Sequence, residues 1–289
     1  MNGTRVEIGD LVRFNMLKRT IAGIFITGVT VGFLALRLVD VRLFNIFILG
    51  LALISATEMV KAFDSGIEKQ DKVLIILYPC LIFPLATFLP GIIVRVSVLY
   101  LLFALIVSVI LSPQKPLDSL TKLMLGIFYP SAPLLAMVML NYSGEISWFL
   151  LILAFTTTSL TDVFAYLVGS MLKGKKLCPE ISPNKTISGA IGGLIGGVIG
   201  SLATYYILKA LNVAVFTAGG VTTVLFLILS GMMFSVTTQA GDLFESWLKR
   251  RLGIKDMGNL IPGHGGMLDR IDGLTFTCFT TFCLYSFLI

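Results

Sequence analysis

Three aspartates, Asp242, Asp269 and Asp272, stand at the edges of apolar runs in a chain that has few charges to spare. Asp242 is followed by Glu245 and Ser246 at i+3 and i+4, the spacing that puts side chains on one helical face. Asp269 and Asp272 repeat the i, i+3 spacing, with Arg270 between them. Carboxylates with nearby hydroxyl and carbonyl groups form an all-oxygen donor set. Such a set suits Mg²⁺ or another hard cation, and Mg²⁺ needs few carboxylates when substrate phosphates complete its shell. A single His and no clustered Cys leave zinc without its usual ligands. Lys249, Arg250, Arg251 and Lys255 lie between the aspartates. Alone, such a basic run reads as lipid-headgroup contact; beside carboxylates it reads as a clamp on a polyphosphate. The competing reading pairs the aspartates with Arg250, Lys255 or Arg270 as salt bridges at the membrane edge.

Other candidates surround this set. Ile261-Pro262-Gly263-His264-Gly265-Gly266 cannot be regular helix, and its glycines permit close backbone approach to a ligand. His264, the only histidine, could donate to a phosphate or orient a nucleophile, or be merely a hydrogen-bonded loop residue. Lys185, in Ile181-Ser182-Pro183-Asn184-Lys185-Thr186, offers a further phosphate contact from a polar loop. Asp162 sits inside an apolar run, among Thr156, Thr157, Thr158, Ser159 and Thr161. A carboxylate at mid-membrane costs ~2.5–3.5 kcal/mol on insertion scales, so it must face protein or water. Asp162 is either a structural carboxylate bonded to Thr or Lys, or part of a polar cavity.

The elements that must position these residues are membrane helices. The 289 residues are 56% hydrophobic and 13% charged, against roughly 25% charged in soluble domains. Apolar runs at about 20–36, 42–60, 73–90, 92–111, 121–140, 146–171, 187–208, 215–240 and 267–288 predict an all-α, polytopic membrane protein with about nine spans. Leu89-Pro90-Gly91 makes the third and fourth runs a tight hairpin. Residues 1–18 give a weak signal for an interfacial helix, and no removable signal peptide is expected. The runs over 20–111 are read as nearly free of embedded charge. With the N-terminus cytoplasmic and nine crossings, 18 of the 22 Lys and Arg fall inside and four outside (Arg37, Arg42, Arg95, Lys209), as the positive-inside rule favours. The clusters at 173–185 and 241–272 then share the cytoplasmic face, where they can meet each other and a soluble substrate.

Gly189, Gly193 and Gly197, with Gly192, Gly196 and Gly200, form two small-residue stripes on the seventh run. They serve close helix packing within the chain or a homodimer seam. The net charge of +6 reflects basic loops at anionic headgroups, so no nucleic-acid partner is expected. The cysteines show neither metal spacing nor a disulfide framework. Residues 1–111 read as a membrane region of unassigned role, and 112–289 as the catalytic region.

From Ser246 to Asp272 the chain resembles the phosphatidate cytidylyltransferase (CDP-diacylglycerol synthase) family. The signature residues are Ser246, Lys249, Arg250, Lys255, Asp256, Gly258, Leu260 or Ile261, Pro262, His264, Gly265, Gly266, Asp269, Arg270 and Asp272. Gly241-Asp242-Leu243-Phe244-Glu245-Ser246, Ser182–Thr186 and Thr161-Asp162-Val163-Phe164-Ala165-Tyr166 are similar to further family segments. The resemblance implies that CTP and phosphatidate give CDP-diacylglycerol and pyrophosphate at the cytoplasmic face of a cell's inner (plasma) membrane. Its implied residues are Asp242, Asp269 and Asp272, with Asp162, at one Mg²⁺ or two metal ions. Lys185, Ser246, Lys249, Arg250, Lys255, His264 and Arg270 would contact substrate. The rival readings are a CTP-dependent lipid or polyprenol kinase, a CDP-alcohol phosphotransferase, and a transporter of anionic solutes. Asp269-x2-Asp272-Gly273 is a fragment of the phosphotransferase pattern, but the residues that complete it are absent.

Overall fold

A bilayer offers no hydrogen bonds to an open backbone, so an apolar run of membrane length closes its own as a helix. The computed structural model of the chain describes residues 28–260 and 265–288. Its helices follow the apolar runs: α1 over 28–36, α2 Val41–Ala62, α3 Lys69–Phe88, α4 Ile93–Leu111, α5 Leu117–Asn141, α6 Ser147–Leu172, α7 Ile187–Ala210, α8 Gly220–Arg251 and α9 Leu268–Leu288. Seven among the described residues, α2 to α8, are long and apolar enough to cross a membrane. The other two of the nine expected spans are not among the seven. Of α1 only 28–36 is described, and α9 opens with Asp269, Arg270 and Asp272. The expected interfacial helix at 1–18 lies outside the described residues.

One 3₁₀ turn, Pro90–Ile92, joins α3 to α4, giving the tight hairpin. The polar stretch after α6, expected to be a loop, instead forms an antiparallel hairpin of β1 (Lys176–Cys178) and β2 (Ser182–Thr186). Its strands are too short for an alternating pattern to register, and Pro183 stands inside one of them.

α7 lies between α6 and α8, and α9 between α8 and α5. Both glycine stripes are filled from within the chain. A Cβ on Gly192 or Gly196 would meet Val168 or the Leu160 carbonyl of α6. One on Gly197 would stand 2.6 Å from the Gly231 carbonyl oxygen of α8, and one on Gly231 would stand 2.8 Å from that of Gly197. Of the two readings of these stripes, close packing within the chain is the one seen, against α6 and α8.

Polar ties gather at the two ends of the bundle. At one end Arg37 donates to Asn141 Oδ1 and Ser147 Oγ, and the Tyr142 hydroxyl donates to the Thr87 carbonyl at 2.7 Å. At the other, Lys115 Nζ donates to Asp71 Oδ2 at 2.6 Å with both side chains enclosed, and Lys185 Nζ lies 2.6 Å from Asp242 Oδ2. The early helices are less free of buried charge than the sequence suggested: Glu58 is 4% exposed and Asp71 0%. Each is answered locally, Asp71 by Lys115 and Glu58 by backbone N–H groups of Met267 and Leu268. Neither therefore supports a transport path.

Candidate active site

α8 continues past the apolar run as one 32-residue helix, ~48 Å at the α-helical rise. That exceeds the ~30 Å hydrocarbon thickness, so its last turns can carry Asp242, Glu245, Ser246 and Lys249 at the membrane edge in one register. α9 meets it there. A Cβ on Gly241 would lie 2.6 Å from the Asp272 carbonyl oxygen, and one on Gly273 2.9 Å from Thr238 Cγ2. These two glycines let the helices close up, which brings Asp272 beside Asp242.

Lys249 bridges the two helices. Its Nζ donates to Asp269 Oδ1 at 2.6 Å and lies 3.2 Å from Glu245 Oε1. Asp269 Oδ2 accepts the N–H groups of Met257 and Gly266, each at 2.8 Å. A single carboxylate thus anchors α9 to the chain entering and leaving the signature loop. Gly265, at φ +82°, sits where a Cβ would be 2.8 Å from Asp269 Oδ2, so this turn requires glycine in both respects. Among the described residues Asp242 pairs with Lys185 and Asp269 with Lys249, rather than with Arg250 or Lys255.

β2 and the start of α7 supply the third wall. The side chain of Thr186 accepts the Gly189 N–H and caps α7, as an N-cap hydroxyl should. This cap fixes the neighbouring Lys185, whose ammonium reaches Asp242 across the gap to α8. Ser246 Oγ donates to Asp242 Oδ1 at 3.4 Å.

Two cavities meet at Asp162, which lines both. One, of about 480 Å³, is the more polar of the two: Asn184, Lys185, Thr186, Gln239 and Asp242 line it with Tyr166. Its Gln239 amide is oriented, since Nε2 donates to the Ala190 carbonyl (3.3 Å) and to Ser235 Oγ (3.2 Å). The other, of about 760 Å³, is mostly apolar, with Ile152, Phe155, Ile207 and Leu274 along it and Arg270 also on its wall.

The structure thus brings Asp162, Lys185 and Asp242 to one cavity, Arg270 to the adjoining one, and Lys249 to Asp269. Arg250 and Lys255 are exposed and line neither cavity. His264 lies outside the described residues. Glu58, Glu245, Asn184 and Gln239 were not among the expected site residues. Glu58 did carry a signal: it is a carboxylate inside an apolar run.

Among the described residues no three Asp, Glu, His or Cys side chains gather closely enough to enclose a metal ion. A cation carried in on a nucleotide triphosphate needs no such cage, since one or two carboxylates suffice. Asp242 and Asp272, on helices that close up at Gly241, fit that mode of binding and not an all-protein cage.

A model described as the cytidylyltransferase family matches residues 17–288. The chain is 42% identical over 149 residues to a phosphatidate cytidylyltransferase of Brucella melitensis biotype 1, covering 52% of this chain and 51% of that one. It is 46% identical over 123 residues to a phosphatidate cytidylyltransferase of Staphylococcus aureus (strain COL), covering 43% of this chain and 44% of that one. The aligned part spans about half the length of the curated relatives it matches.

Proposed function

The chain belongs to the cytidylyltransferase family, and from that premise we propose that it transfers the cytidylyl group of CTP to phosphatidate, giving CDP-diacylglycerol and pyrophosphate. The observation that carries the reading is the pair of cavities joined at Asp162. A water-soluble polyanion suits the polar one, and acyl chains suit the apolar one. The two substrates would then meet near Asp162, with Lys185 and Asp242 on the polar side and Arg270 on the wall of the apolar cavity.

In the reaction a phosphatidate oxygen attacks the α-phosphorus of CTP. The bond from that phosphorus to the α,β-bridging oxygen breaks, and its electron pair leaves with pyrophosphate. A phosphomonoester has its second pKa near ~6, so the nucleophile is already an anion at neutral pH and no strong base is needed. What the protein supplies is orientation and charge neutralisation. Lys185 and Arg270 receive phosphate charge, one in each cavity. Lys249 holds Asp269 while Ser246 steadies Asp242. Arg250, Lys255 and His264 remain candidates for the outer phosphates. Asp242 and Asp272 would hold the Mg²⁺ carried in on CTP, Asp269 and Asp162 are the candidates for a second metal position, and the bound cation would neutralise charge on the phosphates. The protein would lie as a multi-pass chain in a cell's inner membrane with this site towards the cytoplasm, where CTP is.

The test uses purified protein, phosphatidate, Mg²⁺ and CTP labelled on the α-phosphorus. Label is expected to pass into the organic phase, to stop doing so with EDTA, and to return with excess Mg²⁺. Label that stays aqueous sinks the reading. Transfer only from γ-labelled CTP would instead indicate a lipid kinase.

A further inference from the structure

Glu58 belongs to α2, far in sequence from every candidate site residue, yet it ends against the signature loop. Its Oε1 accepts the Met267 N–H and its Oε2 the Leu268 N–H, both at 2.8 Å, across 209 and 210 residues. These are among the first N–H groups of α9, which a helix cannot satisfy internally, and a carboxylate there also meets the positive end of the helix dipole. The fit is close. A Cβ on Gly258 would stand 2.6 Å from Glu58 Oε1, and one on Gly266 would stand 2.7 Å from both carboxylate oxygens. Glu58 is 4% exposed, so water cannot replace either bond.

From this geometry we infer that Glu58 is a positioning residue for the cytidylyl transfer: by holding the first turn of α9 it sets where Asp269 and Asp272 stand relative to α8. The inference rests on the proposed reaction for its catalytic part and on the geometry alone for its mechanical part. Leu268 immediately precedes Asp269, and Asp272 follows one turn later. Rotation or lift of that turn moves both carboxylates together. Asp269 would also loosen its grip on the Met257 N–H, a group that Glu58 does not itself bond.

Glu58→Gln tests this with little change of volume. Its amide keeps one acceptor and turns an N–H₂ towards the other backbone donor. Hydrogen exchange on the full-length protein in detergent should show faster exchange at Met267 and Leu268, and also at Met257. With CTP and phosphatidate, kcat should fall ~10–100-fold, the range for residues that orient ligands, while KM for CTP moves far less. Gly258→Ala, which crowds Oε1 without removing the charge, should reproduce the pattern more weakly. Unchanged exchange at Met267 and Leu268 overturns the clamp. Faster exchange there with Met257 protected and kcat intact reduces Glu58 to a helix cap and overturns the positioning role. If the unaltered protein forms no CDP-diacylglycerol, the proposed reaction fails by itself, and propagation of exchange to Met257 still decides whether Glu58 positions Asp269.

Discussion

Lys185 and Asp242 form their ion pair with side chains 23% and 40% exposed, so solvent reaches the carboxylate and the pair's contribution to stability is small. An ion pair of that kind at the wall of a polar cavity is better placed to open for a substrate than to hold the fold. Lys185→Ala is expected to leave the melting temperature nearly unchanged and to cut kcat ~10²–10³-fold, as removal of one preorganised charge donor does. Steady-state rates beside a thermal melt separate the two effects. Asp269→Asn should act differently. It keeps the shape but removes the partner of Lys249 and weakens the bonds to Met257 and Gly266, so both activity and melting temperature should fall; full activity with Mg²⁺ would remove Asp269 from the metal-site residues. At this scale the sequence was most legible where charge stood in apolar surroundings, because burial makes such charge conspicuous. Asp162, Asp242 and Asp272 were visible in that way. Glu58 carried the same signal, but its partners are backbone N–H groups of Met267 and Leu268, and side-chain identity does not announce a backbone donor.

Helices were legible from length and hydropathy, because an apolar run in a bilayer has few alternatives to a helix. The β1–β2 hairpin was not, since Lys176–Cys178 and Ser182–Thr186 are held by pairing with each other and by the cap on α7 rather than by any pattern of their own. The glycine stripes predicted close packing but not its partner. Gly197 and Gly231 answer each other with backbone on both sides, so neither neighbour can move aside. Gly197→Ala should therefore destabilise the α7–α8 contact by ~1–3 kcal/mol, the usual cost of overpacking, read as a lower melting temperature with no change in KM for CTP. Gly28 and Gly50, which have nothing within 4 Å of an added Cβ, serve as controls. A second element is pinned electrostatically. Lys115, just before α5, is 1% exposed against Asp71 of α3 at 0%. Lys115→Met strands a buried carboxylate, a change that costs ~3–5 kcal/mol, and should lower the melting temperature more than Gly197→Ala does.

For the whole molecule the question is which end of the bundle faces which compartment. The ties through Glu58, Asp71, Lys115, Lys185 and Asp242 gather at one end, and those through Arg37, Asn141 and Ser147 at the other. The same division appears in the basic residues, with Lys115, Lys185 and Lys249 at the first end and Arg37 at the second. A difference of 18 against four is the asymmetry that orients a multi-pass chain during insertion. With nine crossings and a cytoplasmic N-terminus it would place the turn after α7 outside and the chain after α8 inside, with α8 the only helix between them. Asn212 and Asn259 are both exposed, on either side of α8. Asn212→Cys and Asn259→Cys in a cysteine-free background should therefore react with a membrane-impermeant maleimide from opposite faces. In intact cells only Asn212→Cys should be labelled; in inverted vesicles only Asn259→Cys should be. Labelling of both from one face would mean that α8 does not cross. Reversed labelling would put the polar cavity outside, away from CTP, and the proposed reaction would lose its substrate.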